Sequence, residues 1–252
     1  MPENRKRRWF QIGLRSLLVL VAICAVPVAW KSRADRQRDL IEMITRNGGK
    51  VGYDYQVDPI TGAFRSGTEE EPNWLLRRVG PDYWRRVRRV ELNHQFDEFV
   101  AIKFPPMRFI RESDESWQAL IRLPDVEHLD LRFTKITDVS LLEKIDSLKT
   151  LDITDLQITD IGPLKKHHDL RELSIDSCPI GGFQVFQHLT NLRALSMRGV
   201  NARNLDFLSE CTELQRLDAP SETLTDISGI SSLVELTYLN LNGAPRHRYH
   251  CT

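Results

Sequence analysis

Residues 148–175 read LKTLDITDLQITDIGPLKKHHDLRELSI, and the opening six-residue pattern returns in type 22 residues later. Leu148, Leu151 and Ile153 are matched by Leu170, Leu173 and Ile175. Outward from there the L-x-x-L-x-L spacing recurs as Val126/Leu129/Leu131, Leu192/Leu195/Met197, Leu214/Leu217/Ala219 and Leu236/Leu239/Leu241. Each start lies 22 residues after the last, and the register extends beyond the motif. Counting the first apolar residue as position one, position eleven holds Ile136, Ile158, Ile180, Ala202 and Leu224. Position fourteen holds Val139, Ile161, Phe183, Leu205 and Ile227, and position seventeen Leu142, Leu164, Phe186, Leu208 and Ile230. Chance does not keep this many columns apolar over five coils.

The spacing dictates the architecture. Positions four and six share one face of a strand, so they point inward while their neighbours point out. A 22-residue coil holds one short strand and a return too short for a long α-helix, so a 3₁₀ or extended return is expected. Parallel strands then stack ~4.8 Å apart. Each coil contributes about six or seven inward apolar groups, at roughly 1.5–3 kcal/mol apiece when buried. No coil buries its face alone, so stability comes from stacking. The predicted fold is an α/β solenoid with a parallel sheet on its concave face.

These residues resemble the leucine-rich-repeat family, in its 22-residue, internalin-like variety, over residues 123–243. The resemblance implies a horseshoe that binds macromolecules at its concave face. One column departs from the family. Position nine, usually Asn or Cys, here reads Thr134, Leu156, Cys178, Val200 and Glu222, so only Cys178 conforms. The turns must therefore satisfy their backbone groups differently or pack more loosely. Three coils carry a Thr-Asp pair after position eleven, Thr137-Asp138, Thr159-Asp160 and Thr225-Asp226, which suits a turn or the start of a helical return. An additional capping coil is expected upstream, with Val87, Val90 and Leu92 in its strand and Trp117, Leu120 and Leu123 in its return. Residues 93–116 read as a loop inserted into it. After Leu241 the chain reads GAPRHRYHCT, with no amphipathic cap.

The N-terminus is of a different kind. Leu17–Trp30 carries no charge, and extension back to Trp9 adds only Arg15. A spanning helix needs ~20 mostly apolar residues. Trp9 and Trp30 bracket the run as interfacial aromatics, and Arg5, Lys6, Arg7 and Arg8 precede it, which favours a cytoplasmic N-terminus. Lys31, Arg33, Arg36 and Arg38 follow it and weaken that orientation signal. A cleaved secretory signal is the competing reading, but no small-x-small site follows. The expected layout is a basic tail over 1–11, a transmembrane signal anchor over 12–30, a juxtamembrane helix with a small strand and loop region over 31–83, the capping coil with its inserted loop over 84–122, repeats over 123–243 and an irregular tail over 244–252. This order is similar to membrane-anchored repeat proteins of planctomycete-type bacteria, which implies a layout and no function. Within 31–83, residues 31–47 read as a helix with Leu40, Ile41 and Ile44 on one side, and Gly48-Gly49 as its stop. Residues 50–58 alternate as a strand with Val51, Tyr53, Tyr55 and Val57 on one face. Trp74–Arg89 mixes aromatic residues with arginines and reads as interfacial packing.

Charge and motifs narrow the function classes. Lys+Arg and Asp+Glu are both 35, but residues 1–46 carry ten Lys/Arg against four Asp/Glu, and residues 117–252 fourteen against nineteen. A mildly acidic repeat region argues against nucleic acid as its partner. No phosphate loop, nucleophile elbow, zinc-protease or dinucleotide fingerprint is present, so no catalytic residue, metal ligand or cofactor is expected. His247, His250 and Cys251 read as a polar tail and His167-His168 as part of a return, while Cys24, Cys178, Cys211 and Cys251 form no CxxC pair and no disulfide framework. The concave face is expected to bind a protein or glycan partner through Asp130, Arg132, Phe133, Asp152, Thr154, Asp176, Arg198, Asp218 and Tyr238. The solvated-face reading stands beside each of these. The other function class is a structural component that self-associates through an uncapped solenoid end.

Overall fold

Positions three to five of each coil form a strand of three residues, flanked by turns that hold it short. In the computed structural model, which describes residues 31–54, 56, 86–92, 115–123 and 125–242, the strands are β1 (Lys50–Tyr53), β2 (Val87–Glu91), β3 (His128–Asp130), β4 (Thr150–Asp152), β5 (Glu172–Ser174), β6 (Ala194–Ser196), β7 (Arg216–Asp218) and β8 (Tyr238–Asn240). They make one sheet in chain order. From β2 onward every pairing is parallel. Leu129, Leu151, Leu173, Leu195, Leu217 and Leu239 stand side by side in register. The 22-residue sequence period is therefore the sheet register itself.

The returns are 3₁₀ turns: Ser140–Lys144, Gly162–Lys166, Gln184–His188, Asp206–Leu208 and Ser228–Ser232. The Thr-Asp pairs start three of them. Asp138 Oδ1 accepts from the Ser140 N–H at 2.7 Å, Asp160 Oδ1 from Gly162 at 2.7 Å and Asp226 Oδ1 from Ser228 at 2.9 Å. Each aspartate satisfies a donor that the first turn leaves without a backbone partner. Between sheet and returns the repeat columns merge into one core, with Leu131, Ile136, Leu142, Leu148 and Ile153 all wholly buried. Phe183 stacks on Phe207 with centroids 4.4 Å apart, and Phe186 lies against both. Gly229 marks the closest approach of two returns: a Cβ there would lie 2.5 Å from the backbone of Leu205.

Position nine resolves through backbone conformation. In four coils the position-nine N–H donates to the carbonyl of position six, as in Thr134 to Leu131 at 3.3 Å and Val200 to Met197 at 3.3 Å. That turn requires a positive φ at position eight, seen at Phe133, Asp155, Ser177 and Gly199 (59°, 61°, 59° and 67°). Only Gly199 adopts it without a Cβ penalty. Cys178, the one residue of the family type, donates its thiol to the Ile153 carbonyl of the preceding coil at 3.0 Å. Thr134 instead bonds within its own coil, to Leu131 at 2.7 Å.

The N-terminal end is closed. A helix over residues 31–46, α1, buries Ala34, Gln37, Leu40 and Ile44 at helical spacing. Gly48, at φ 86°, ends it, and the Gly49 N–H returns to the Ile44 carbonyl at 3.0 Å. β1 then joins β2 antiparallel, Val51 opposite Val90, with an irregularity between Gly52 and Tyr53. The strand expected over 50–58 stops at Tyr53, where the Gln56 N–H bonds back to the Tyr53 carbonyl and closes a turn. The sheet is thus parallel with one antiparallel strand, and α1 and β1 belong to the solenoid's own core. Val87, Val90 and Leu92 are buried in or beside β2, and α2 (Glu115–Leu120) buries Trp117 and Leu120. Residues 93–114 of its inserted loop lie outside the described residues.

The other end is open among the described residues. Leu239 is 41% exposed, whereas its equivalents Leu129 to Leu217 are at most 2% exposed. Among the described residues no helix is long and apolar enough to cross a membrane. The basic tail over 1–11, the anchor over 12–30 and the tail over 244–252 with His247, His250 and Cys251 lie outside them.

Candidate functional site

Each strand turns two rows of side chains outward, and the rows differ in chemistry. One row combines positions five and seven. Asp130 is buried at 3% exposure and receives the Arg132 backbone N–H at 3.0 Å and its Nη2 at 2.7 Å. The Arg132 Nε also lies 3.2 Å from Asp152. Asp152 Oδ1 in turn accepts the Thr154 N–H at 3.0 Å. Asp176 Oδ1 accepts from the Ser196 hydroxyl at 2.7 Å and the Arg198 N–H at 2.8 Å. The Arg198 guanidinium reaches across to Asp218, which Asn240 Nδ2 also bonds at 2.8 Å. Asp218 is 2% exposed. The hydrogen bonds it donates to Asp130 hold the Arg132 guanidinium above its ordinary range, and burial raises the Asp152 carboxyl against the opposing Thr154 bonds.

The expected site residues fall accordingly. Asp130, Arg132, Asp152 and Thr154 form one cluster, and Asp176, Arg198 and Asp218 a second. Asp130 and Asp218 were expected to face a ligand. They are instead sealed under the arginines, because a buried carboxylate is stable only when its charge is compensated. Phe133 is 44% exposed. Tyr238 is 40% exposed and belongs to the other row, where the Arg216 guanidinium sits 4.2 Å from its ring centroid.

That other row, positions two and three, lines a groove of about 320 Å³ between His128 and Tyr238, through Lys149, Thr150, Arg171, Glu172, Arg193 and Arg216. Its regularity has a backbone cause. The position-two carbonyl of each coil accepts the N–H groups of positions two and three in the next: Lys149 and Thr150 on Glu127, Arg171 and Glu172 on Lys149, Arg193 and Ala194 on Arg171, at 2.7–3.1 Å. Position-two side chains are therefore held one per coil. Lys149 pairs with Glu127 at 3.0 Å, and Arg88 pairs with the same carboxylate at 3.0 Å. Arg171 and Arg193 are exposed and have no carboxylate within ion-pair distance among the described residues. Burial raises the Glu172 carboxyl, opposed by the charge of Arg89. At the groove's N-terminal end His128 is 1% exposed, its Nδ1 lies 2.9 Å from the Thr150 hydroxyl, and its Nε2 has no partner. Burial drives its pKa down to about 4, so the ring is neutral near pH 7.

The position-two row was missed in the sequence reading, although Lys149, Arg171 and Arg193 recur at the repeat spacing. The acidic column at position five stands out in the sequence, yet its arginine partners sit two residues along or one coil away.

Other reactive groups have structural uses. Burial pushes the Cys178 and Cys211 thiols up to about 11 and about 12, so neither supplies a thiolate. Buried His167 places Nε2 3.1 Å from the Leu142 carbonyl of the preceding return. No group of His, Cys, Asp and Glu among the described residues is arranged to hold a metal ion.

The sequence matches the family model of Leucine Rich repeats (2 copies) over residues 124–166. Among solved structures, an internalin from Listeria monocytogenes is 22% identical, with a TM-score of 0.46, covering 49% of this chain and 36% of its own. Internalin C2 from the same organism is 26% identical, with a TM-score of 0.44 and coverage of 48% and 54%. A leucine-rich-repeat protein of Leptospira interrogans is 24% identical, with a TM-score of 0.44 and coverage of 50% and 34%. The chain thus spans about a third to a half of the length of these proteins. No curated protein matches it significantly. The chain carries leucine-rich repeats, stacked as a solenoid with parallel strands and 3₁₀ returns.

Proposed function

We propose that this chain is a non-enzymatic recognition module that binds a protein partner along its strand face, tethered to a membrane by the segment over 12–30 with the repeats outside the cytoplasm. One observation carries the reading: the groove over β3–β8 presents Arg171 and Arg193 exposed and, among the described residues, without ion partners, in line with an exposed Tyr238. Arginine and tyrosine are the side chains that most often anchor protein interfaces. A glycan is the less favoured ligand, because among the described residues lining this groove Tyr238 is the only Phe, Tyr or Trp.

Site-specific photocrosslinking in cells tests the proposal. A photoreactive residue at Ser196, on the strand face, should give a discrete adduct with a partner, and one at exposed Gln187, in a return, should not. Adducts from Gln187 alone would place recognition on the return face and defeat the reading.

A second reading rests on the opposite end. Val234 (80% exposed) and Leu239 (41%) are large apolar residues left exposed in and just before β8, which suits self-association. Sedimentation of the full chain over a range of concentrations separates the two: a mass that grows with concentration and reverts on Leu239→Lys favours assembly.

A further inference from the structure

The groove's charge pattern identifies the chemistry of the partner, an inference that rests on the strand-face reading above. We infer that the bound segment is an extended peptide carrying acidic side chains at alternate residues, laid across the strands at Lys149, Arg171 and Arg193. Coils repeat at ~4.8 Å, so the Arg171–Arg193 step is about 5 Å and Lys149 to Arg193 about 10 Å. An extended peptide places same-face side chains ~7 Å apart, within reach of flexible guanidinium groups on adjacent coils. Each guanidinium can take a carboxylate bidentately.

The same pattern disfavours a uniform polyanion. The basic row is one residue wide. Glu127 stands next to Lys149 in it, Glu172 lies beside it at position three, and the carboxylates of Asp152 and Asp176 line the neighbouring row. A nucleic acid or sulfated glycan would bring negative charge onto those groups, whereas a peptide offers carboxylates on one edge and neutral or basic groups on the other. At the groove's end His128 adds a nearly buried neutral ring with one unpartnered nitrogen.

A random-peptide display library, selected on the full chain in detergent, tests this. Selected peptides should be enriched in Asp and Glu at alternate positions. They should lose at least about tenfold in affinity for R171E/R193E, and bind the return-face control K165E/K166E normally. All four positions are exposed, and matched melting curves will show that folding is unaffected. Neutral or basic binders, or acidic binders indifferent to R171E/R193E, overturn the inference. So does stronger binding of heparin or polyuridylate than of the selected peptides, and so does a library that yields no binder. If the Ser196 crosslink still forms in any of these cases, the recognition reading survives. If it is lost as well, both fall.

Discussion

The two outward rows of one sheet put similar residue types to opposite uses. At positions five and seven, arginines and aspartates neutralise one another and carboxylates disappear beneath guanidinium groups. At position two, one strand-width away, Arg171 and Arg193 stand exposed without an acidic partner among the described residues. A charged column in a repeat is therefore not in itself a binding surface. What decides is whether a partner of opposite charge sits two residues along the strand or one coil over, where it completes an internal pair.

The largest effect expected from probing this contrast is a pH dependence. His128 lines the open row but is buried, and its folded pKa of about 4 lies below the ordinary imidazole value of 6.5. Between those values the unfolded chain binds the proton and the folded chain does not. Stability is therefore fully present above pH 6.5 and is lost as pH falls towards 4. The loss is on the order of 3 kcal/mol. Urea unfolding at a series of pH values should show this slope, and His128→Gln should flatten it.

Next in size is the direct test of the two rows. Arg132→Ala leaves the buried Asp130 without its guanidinium and should cost about 2 kcal/mol, below the usual range for a broken buried pair because Arg132 is partly exposed. Arg171→Ala should change stability by no more than about 0.5 kcal/mol. Equal losses in the two variants would erase the distinction. The smallest effect concerns the turns that link the rows to the core. Ser177→Gly removes a Cβ from a positive-φ position and should raise stability by under about 1 kcal/mol. Gly199→Ala should lower it by a similar amount. Thermal melts resolve both.

The sequence exposed what depends on period. The 22-residue register, the 3₁₀ returns and the turn-starting role of Asp138, Asp160 and Asp226 follow from spacing, because stacking forces every coil to repeat the same inward positions. It exposed less where the partner lies elsewhere in the chain. Nothing in residues 50–53 shows that β1 runs antiparallel to β2, since alternation marks a strand but not its neighbour. The Arg198–Asp218 pair joins position seven of one coil to position five of the next, so column-by-column reading separates its members. Arg132 and Asp130 were closer to hand: residues two apart on a strand share a face. Position nine showed that its turns satisfy their backbone groups differently or pack more loosely, but not how: a left-handed residue at position eight closes them, a conformation that Phe133 and Ser177 do not advertise.

The most direct test of the central claim is the yield of the Ser196 crosslinked adduct, compared between R171E/R193E and R132A at a temperature where both are folded. The adduct should be lost from R171E/R193E and kept by R132A. Retention in R171E/R193E with loss in R132A would place recognition in the row assigned here to structure, and would contradict that claim.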